Sequence, residues 1–307
     1  MERGSIRLNK SGVVFNERDH TYHLDGKQLF GITSTLIRRA FPDKYSGVDE
    51  ETLRNAAQKG SEVHKMIESH DRFDTAPDNI RLMNYEQVKY ERGLTVIENE
   101  YLVSDNERYA SSIDIVMVNR LGEICLVDTK TTYNLDRQST ALQLSIYRWL
   151  FELQNPNLKV SHIFVLWLPN KDESIAEIHE LSFVPDDVIE ALIDADINDE
   201  PFTYSPIPDE YAELEAQYRY WDDIREQAEN NLKEIKEKVI SLMKDKNLSQ
   251  IKSGFYTVSY IPGKKGRRFD SQAFKRENKP LYESYMRETE TAEQVRFLKT
   301  NKDEQIN

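Results

Sequence analysis

Apolar and polar residues between Ser111 and Leu150 follow a pattern that predicts two adjacent strands and then a helix. Every second residue of Ile113–Met117 is apolar, as in a strand that buries one face. The continuous apolar run Ile124–Val127 predicts a second, buried strand, and Leu121-Gly122 supplies the turn between them. Between Leu142 and Leu150 apolar residues recur at helical spacing, so we expect a helix that packs one face on this hairpin.

The surrounding pattern predicts that this hairpin belongs to a larger sheet. Leu94–Val103 and Val160–Leu168 predict two more strands, and Ile175–Phe183 predicts an edge strand. A helical pattern that begins near Asp49 precedes them. Helices before and after the strands predict an α/β fold, in which helices cover both faces of a mixed central sheet.

The C-terminal third differs in composition and predicts a separate, smaller part of the molecule. Residues 185–213 are acidic and contain prolines, which indicates a linker, and a long amphipathic helix is expected over about 209–246. The apolar stripe of this helix either assembles a homo-oligomer or packs on the core. With a strand predicted over 254–261, we divide the chain into a core of residues 1–200 and a long helix plus a small α+β extension over residues 201–307.

Three charged residues stand where a packed sheet does not favour them: Asp114 inside the first predicted strand, and Asp128 and Lys130 at the end of the second. Two carboxylates on adjacent strands repel unless a cation or a proton lies between them. Mg²⁺ or Mn²⁺ would meet that need. Lys130 points to the same side as Asp128 and would stabilise a developing negative charge. The alternative is a plain ion pair at the end of the strand.

Further polar residues accompany this set. Gln143 and Tyr147 are four residues apart on the predicted helix, so they project from one face. His64 lies in the upstream helical pattern, with Glu68 one turn beyond it. The His64 imidazole is either a metal ligand or a structural histidine.

The order of these elements resembles the RecB-like branch of the PD-(D/E)XK nuclease superfamily. In this chain it is GSEVH at 60–64, SSID at 111–114, VDTKT at 127–131 and QLSIY at 143–147. The segment HTYHLDGKQLFGITSTL at 20–36 also resembles phage members of that branch, and the C-terminal region looks like that of YqaJ-like, lambda-exonuclease-like enzymes. Five elements in order are more specific than any one of them.

The resemblance implies a restriction-endonuclease-like fold with a divalent-metal site. One or two Mg²⁺ or Mn²⁺ ions would be held by His64, Asp114, Asp128 and the backbone carbonyl of Thr129. The implied catalytic set is Asp114, Asp128, Lys130, Gln143 and Tyr147. Whether Glu68, Glu98 or Glu100 joins the metal site stays open.

The resemblance also implies an activity: exonuclease action on double-stranded DNA ends in recombination or replication, beside a single-strand annealing protein. An endonuclease of the same fold is one alternative. A DNA-binding or assembly protein without catalysis is the other. The motifs alone indicate a nuclease and leave end preference and polarity open.

Charge is distributed unevenly along the chain. The net charge is −13, but residues 231–307 carry 17 Lys and Arg against 11 Asp and Glu, so this part is at +6 and residues 1–230 are at −19. Basic and aromatic residues alternate near the end, which suits DNA contact, although a solvated surface is the alternative. The predicted DNA-binding residues are Lys264, Lys265, Arg267, Arg268, Lys275 and Arg276.

The cysteine content and the hydropathy pattern set the remaining expectations. Cys125, the single cysteine, lies in an apolar run and is expected to be buried, which excludes a disulfide framework and an iron–sulfur cluster. No apolar run is long enough to span a bilayer, and no secretion signal is present. We therefore expect a cytoplasmic protein without membrane partners, in the host cytoplasm if a phage encodes it.

Overall fold

The computed structural model describes residues 6–263 and 269–287. Its chain divides into compact units of residues 1–229 and 230–307. In the first unit, β1 (Val14–Asn16), β2 (Thr21–Leu24) and β3 (Lys27–Gly31) form an antiparallel meander. Asp25 and Gly26 join β2 and β3 with φ angles of 48° and 81°, as a type I′ hairpin turn requires.

The core of the first unit is an eight-stranded mixed sheet. Its longer strands are β4 (Thr95–Ser104), β5 (Tyr109–Val118), β6 (Ile124–Lys130), β7 (Val160–Trp167) and β8 (Glu177–Leu181). The strand order is β1-β2-β3-β5-β6-β7-β8, with β4 paired to β5. The β3–β5 and β6–β7 pairs are parallel and the others antiparallel. The predicted fold class, a mixed α/β sheet with a long C-terminal helix, is confirmed.

Two apolar clusters show that helices cover both faces of the sheet. Alternate residues of β6 enter different clusters, Ile124 and Leu126 one, Cys125 and Val127 the other. The first cluster includes α4 (Arg137–Gln154), α5 (Asp186–Ile197) and the short helix α1 (Arg38–Ala40) with the helical turn Thr33–Ile37 before it. The second cluster includes α2 (Glu50–Phe73) and α3 (Ile80–Arg92). Cys125 is buried as expected.

On the edge opposite β4, strand β5 pairs first with β3 and then with β6, and the two partners leave a gap in the sheet between them. Near its start, β5 pairs with β3 at Tyr109 and Ala110, and near its end it pairs with β6 from Ile115 onward. Continued by one residue, the β5–β6 register sets Asp114 opposite Asp128, where β6 has left β5 and runs on beside β7. The carboxylates therefore lie where two strands diverge.

The long helix α6 (Asp209–Asp245) ends one residue before the predicted limit. In the second unit, β9 (Gln250–Lys252) pairs with β10 (Thr257–Ser259), and α7 (Ser271–Glu277) and α8 (Lys279–Ser284) follow. The strand predicted over 254–261 is shorter because Ser253 turns the chain: its N–H donates to the Tyr256 carbonyl, and its hydroxyl oxygen accepts from the N–H groups of Phe255 and Tyr256. No helix among the described residues is both long and apolar enough to cross a bilayer.

Candidate functional site

Asp114 and Thr129 join the two diverging strands. The Thr129 N–H donates to Asp114 Oδ2 over 2.7 Å, a charge-assisted hydrogen bond in the place where ladder pairing has stopped. This bond fixes the Asp114 carboxylate at the open end of the hairpin. The carbonyl of Thr129 lies on the side of α2.

Helix α2 brings His64 to the same place. At Gly60 the helix passes close to the residue that follows β6, since a Cβ there would stand at an ordinary contact distance of 3.4 Å from Thr131 Oγ1. One turn later, His64 Nε2 lies 3.0 Å from the Thr129 carbonyl oxygen, so Nε2 must carry the proton. Nδ1 then faces Asp114 Oδ2 at 3.6 Å and Glu100 Oε1 at 3.9 Å. In the neutral imidazole, a lone pair points at two carboxylates.

Glu100 occupies an unusual backbone position inside β4. Its φ is 49°, although the neighbouring pairs Asn99–Ile115 and Tyr101–Ile113 keep the strand in register on either side. Glu100 thus stands across from Asp114, and its Oε2 accepts a 2.7 Å hydrogen bond from Ser112. Of the three glutamates left open by the sequence, Glu100 joins the site, Glu98 is exposed, and Glu68 lines the cleft but pairs with Arg72.

A network of hydrogen bonds and an ion pair links β6 to α4. Lys130 Nζ lies 2.6 Å from Asp128 Oδ2 and donates to Gln143 Oε1 over 3.3 Å. Gln143 Nε2 donates to Asp128 Oδ1 and to the Tyr147 hydroxyl, each over 2.8 Å. Tyr147 also accepts from Ser111 Oγ at 3.1 Å. Gln143 therefore holds both the carboxylate and the ammonium in place.

The electrostatics of the site are those of crowded carboxylates. Burial and the nearby Asp114 raise the pKa of Glu100 to about 7. Burial raises the pKa of Asp128, although Lys130 opposes the shift. Burial lowers the pKa values of His64 and Lys130, but the surrounding carboxylates outweigh it and raise both. Every shift favours a bound proton, so the site is short of positive charge.

The donor atoms fit a divalent cation. One atom each from His64, Glu100 and Asp114 lies within 4.8 Å of the other two, and the Thr129 carbonyl adjoins them. Carboxylate and carbonyl oxygens suit Mg²⁺, Ca²⁺ and Mn²⁺, and an imidazole suits transition metals such as Zn²⁺, so this donor set fits more than one divalent cation. Asp128 lies outside this trio, since Lys130 and Gln143 engage its two oxygens.

A second group of metal-ligand types consists of His70, Asp71 and Glu86. The two ring nitrogens of His70 lie 3.2 Å from Thr75 Oγ1 and 2.8 Å from Glu86 Oε1, and Lys89 pairs with both Asp71 and Glu86. Lys89 therefore already supplies a positive charge to both carboxylates of the group. We interpret the group as the structural contact between α2 and α3.

The predicted DNA-binding residues fall into two groups. Lys264, Lys265, Arg267 and Arg268 lie outside the described residues. Lys275 and Arg276 are exposed in the last turn of α7, where Lys275 Nζ lies 5.1 Å from the centre of the Tyr282 ring.

No family model matches this chain, and no curated protein matches it. Thirteen chains of solved structures match. One of them, described as the crystal structure of SSO0001, is 16% identical over 60% of this chain and 81% of its own, with a TM-score of 0.33. A TM-score of that size supports no statement about function.

Proposed function

We propose that this protein is a metal-dependent deoxyribonuclease that hydrolyses phosphodiester bonds. The observation that carries the proposal is the grouping of His64, Glu100 and Asp114 beside an Asp128–Lys130 pair at the point where β5 and β6 diverge. A purely structural ion pair needs neither the extra carboxylates nor the strained backbone at Glu100. Perturbed titratable groups gathered in a cleft are typical of catalytic sites.

The roles follow from the contacts. His64, Glu100, Asp114 and the Thr129 carbonyl would hold Mg²⁺ or Mn²⁺, one ion or two, with Asp128 completing the set if it turns from Lys130. When bound there, such an ion would supply a water of lowered pKa and a positive charge for the phosphate oxygens. Lys130 offers its ammonium to the negative charge that develops on the phosphate. Gln143, braced by Tyr147, keeps Lys130 and Asp128 in position.

The motif resemblance supports DNA as the substrate and an exonuclease that begins at double-stranded ends. A single-strand annealing protein as a partner, a homo-oligomer formed through α6 and a cytoplasmic location belong to the same proposal. The second candidate is an endonuclease of this fold, because the geometry of the metal site is compatible with either mode. A DNA-binding protein without catalysis is disfavoured, since Asp114, Asp128 and Lys130 are all present.

Digestion of linear and closed-circular double-stranded DNA tests the proposal. Linear DNA should be lost in Mg²⁺ or Mn²⁺ and retained in EDTA, and Lys130→Ala should slow the loss by about 10²-fold or more. Lys159→Ala removes an exposed lysine that pairs with Glu152, and should cleave like the wild type. Cleavage of closed circles would favour the endonuclease. Absence of metal-dependent cleavage, or full activity of Lys130→Ala, would contradict the proposal.

A further inference from the structure

We propose that Tyr133, Trp167 and Lys171 form an aromatic–cationic platform that binds an unpaired nucleobase next to the scissile phosphate. This inference rests on the proposed function and specifies its substrate: a DNA strand whose terminal base has left the duplex. Tyr133 lies three residues after Lys130 in the chain. Three residues of backbone span at most about 10 Å, so the Cα atoms of Tyr133 and Lys130 lie within that distance of each other.

The three side chains contact one another on the surface. Lys171 Nζ lies 4.5 Å from the centre of the Tyr133 ring and 5.0 Å from that of Trp167. Tyr133 is 69% exposed, and Trp167 is partly exposed. A single exposed tyrosine is ordinary. Two accessible rings that contact one ammonium group, close to the end of β6 with Asp128 and Lys130, are a less ordinary arrangement.

The backbone under the platform is rigid. Trp167 is the parallel partner of Lys130 at the end of the β6–β7 ladder. Three further hydrogen bonds tie the loop after β6 to the loop after β7: Leu168 N–H to the Lys130 carbonyl at 2.8 Å, Asn170 N–H to the Thr131 carbonyl at 3.1 Å, and Trp167 Nε1–H to the Thr132 carbonyl at 2.9 Å. The Trp167 ring and the backbone that leads to Tyr133 are therefore held in place relative to the site before any ligand arrives.

The chemistry of the platform fits a nucleobase. Proteins that bind single strands use aromatic faces, on which any base can stack, together with cations for the backbone phosphates. Lys171 is followed by Asp172 and Glu173, but these carboxylates already have partners, Asp172 with Ser174 and Glu173 with Arg81. The Lys171 ammonium also interacts electrostatically with Asp172, so a phosphate or a base would compete with that carboxylate for it.

Binding can be measured separately from cleavage. The full-length protein is titrated in EDTA against a duplex with a three-nucleotide overhang that carries a fluorescent terminal 2-aminopurine, whose emission falls when it stacks. Tyr133→Ala should weaken binding by about 5- to 100-fold and abolish the quenching. Tyr133→Phe keeps the ring and should bind within about twofold of wild type. Lys171→Ala should weaken binding, and Lys171→Arg should largely restore it.

Tyr90→Ala is the matched control, since Tyr90 is 81% exposed on α3. If Tyr133→Ala binds and quenches like Tyr90→Ala, the platform is refuted, even when the wild type cleaves DNA. If the wild type binds and quenches through Tyr133 but never cleaves, the platform stands and the nuclease proposal fails. Unchanged melting temperatures would show that the variants are folded. A wild type that neither binds nor quenches refutes the platform.

Discussion

Glu100 is the residue at which the site departs most from regular structure. A non-glycine residue with a φ of 49° inside a strand costs on the order of 1–3 kcal/mol. The pairs on either side of Glu100 hold the backbone in this conformation, and the result is a carboxylate beside Asp114 and His64. Strain of this kind persists where the surrounding structure over-determines it, which is common at ligand-binding sites.

We predict that Glu100→Gln lowers the affinity for Mn²⁺ by about tenfold or more, because it removes an anionic oxygen from the proposed metal site. Isothermal titration calorimetry measures the affinity directly. Glu98→Gln, on the same strand but exposed, should bind like the wild type. In EDTA the Glu100→Gln variant should melt no lower than the wild type, since it relieves repulsion with Asp114. Equal Mn²⁺ affinity in both variants would exclude Glu100 as a ligand.

The elements β7, β8 and α6 meet at a buried histidine. His162 Nδ1 lies 2.9 Å from Glu180 Oε1, and Nε2 lies 3.4 Å from Glu123 and 4.0 Å from Asp223, while Arg219 pairs with Glu180 at 3.5 Å. Burial lowers the pKa of His162, but Glu180 and the other carboxylates outweigh it and raise it above 6.5. The contact among these three elements therefore favours the protonated form of His162.

This contact predicts a pH-dependent stability. Because the folded-state pKa of His162 is raised, its contribution is complete below about pH 6.5 and is lost as the pH rises through the folded value. His162→Gln should therefore lower the melting temperature more at about pH 6 than at about pH 8.5. Burial lowers the pKa of His179, so protonation of this residue at acidic pH destabilises the folded state. His179→Gln removes that cost and should therefore stabilise the protein, relative to the wild type, at acidic pH. Equal destabilisation by His162→Gln at both pH values would contradict the assignment.

The elements were predicted better than the contacts between them. The alternation in β5, the apolar run of β6 and the helical spacing of α4 are local patterns, and each matches a strand or helix in the structure. Glu100 was not separable from Glu98 by pattern, because alternation places both on one face. Its left-handed φ, and the register shift between Val96 and Glu98, come from pairing with β5. Ser253 likewise shortens a predicted strand through hydrogen bonds that alternation does not encode.

At the scale of the whole molecule, charge is divided between the two parts of the chain. The net charge of −13 combines +6 for residues 231–307 with −19 for the remainder. A negative surface repels DNA, so backbone contacts are expected where Lys and Arg dominate. Among described residues of the second unit, Lys275 and Arg276 are exposed together on α7. We therefore expect them to carry part of the salt-dependent affinity.

Replacing both Lys275 and Arg276 by Ala should weaken DNA binding in EDTA and reduce the slope of log Kd against log salt by about 2, because each lost phosphate contact removes roughly one released counterion. Fluorescence anisotropy between about 50 and 200 mM salt gives the slope. Lys233→Ala with Lys236→Ala removes the same charge from exposed positions of α6. If both pairs reduce the slope equally, the affinity depends on total charge, and α7 makes no phosphate contacts of its own. A reduced slope for the α7 pair alone would place the DNA backbone on α7.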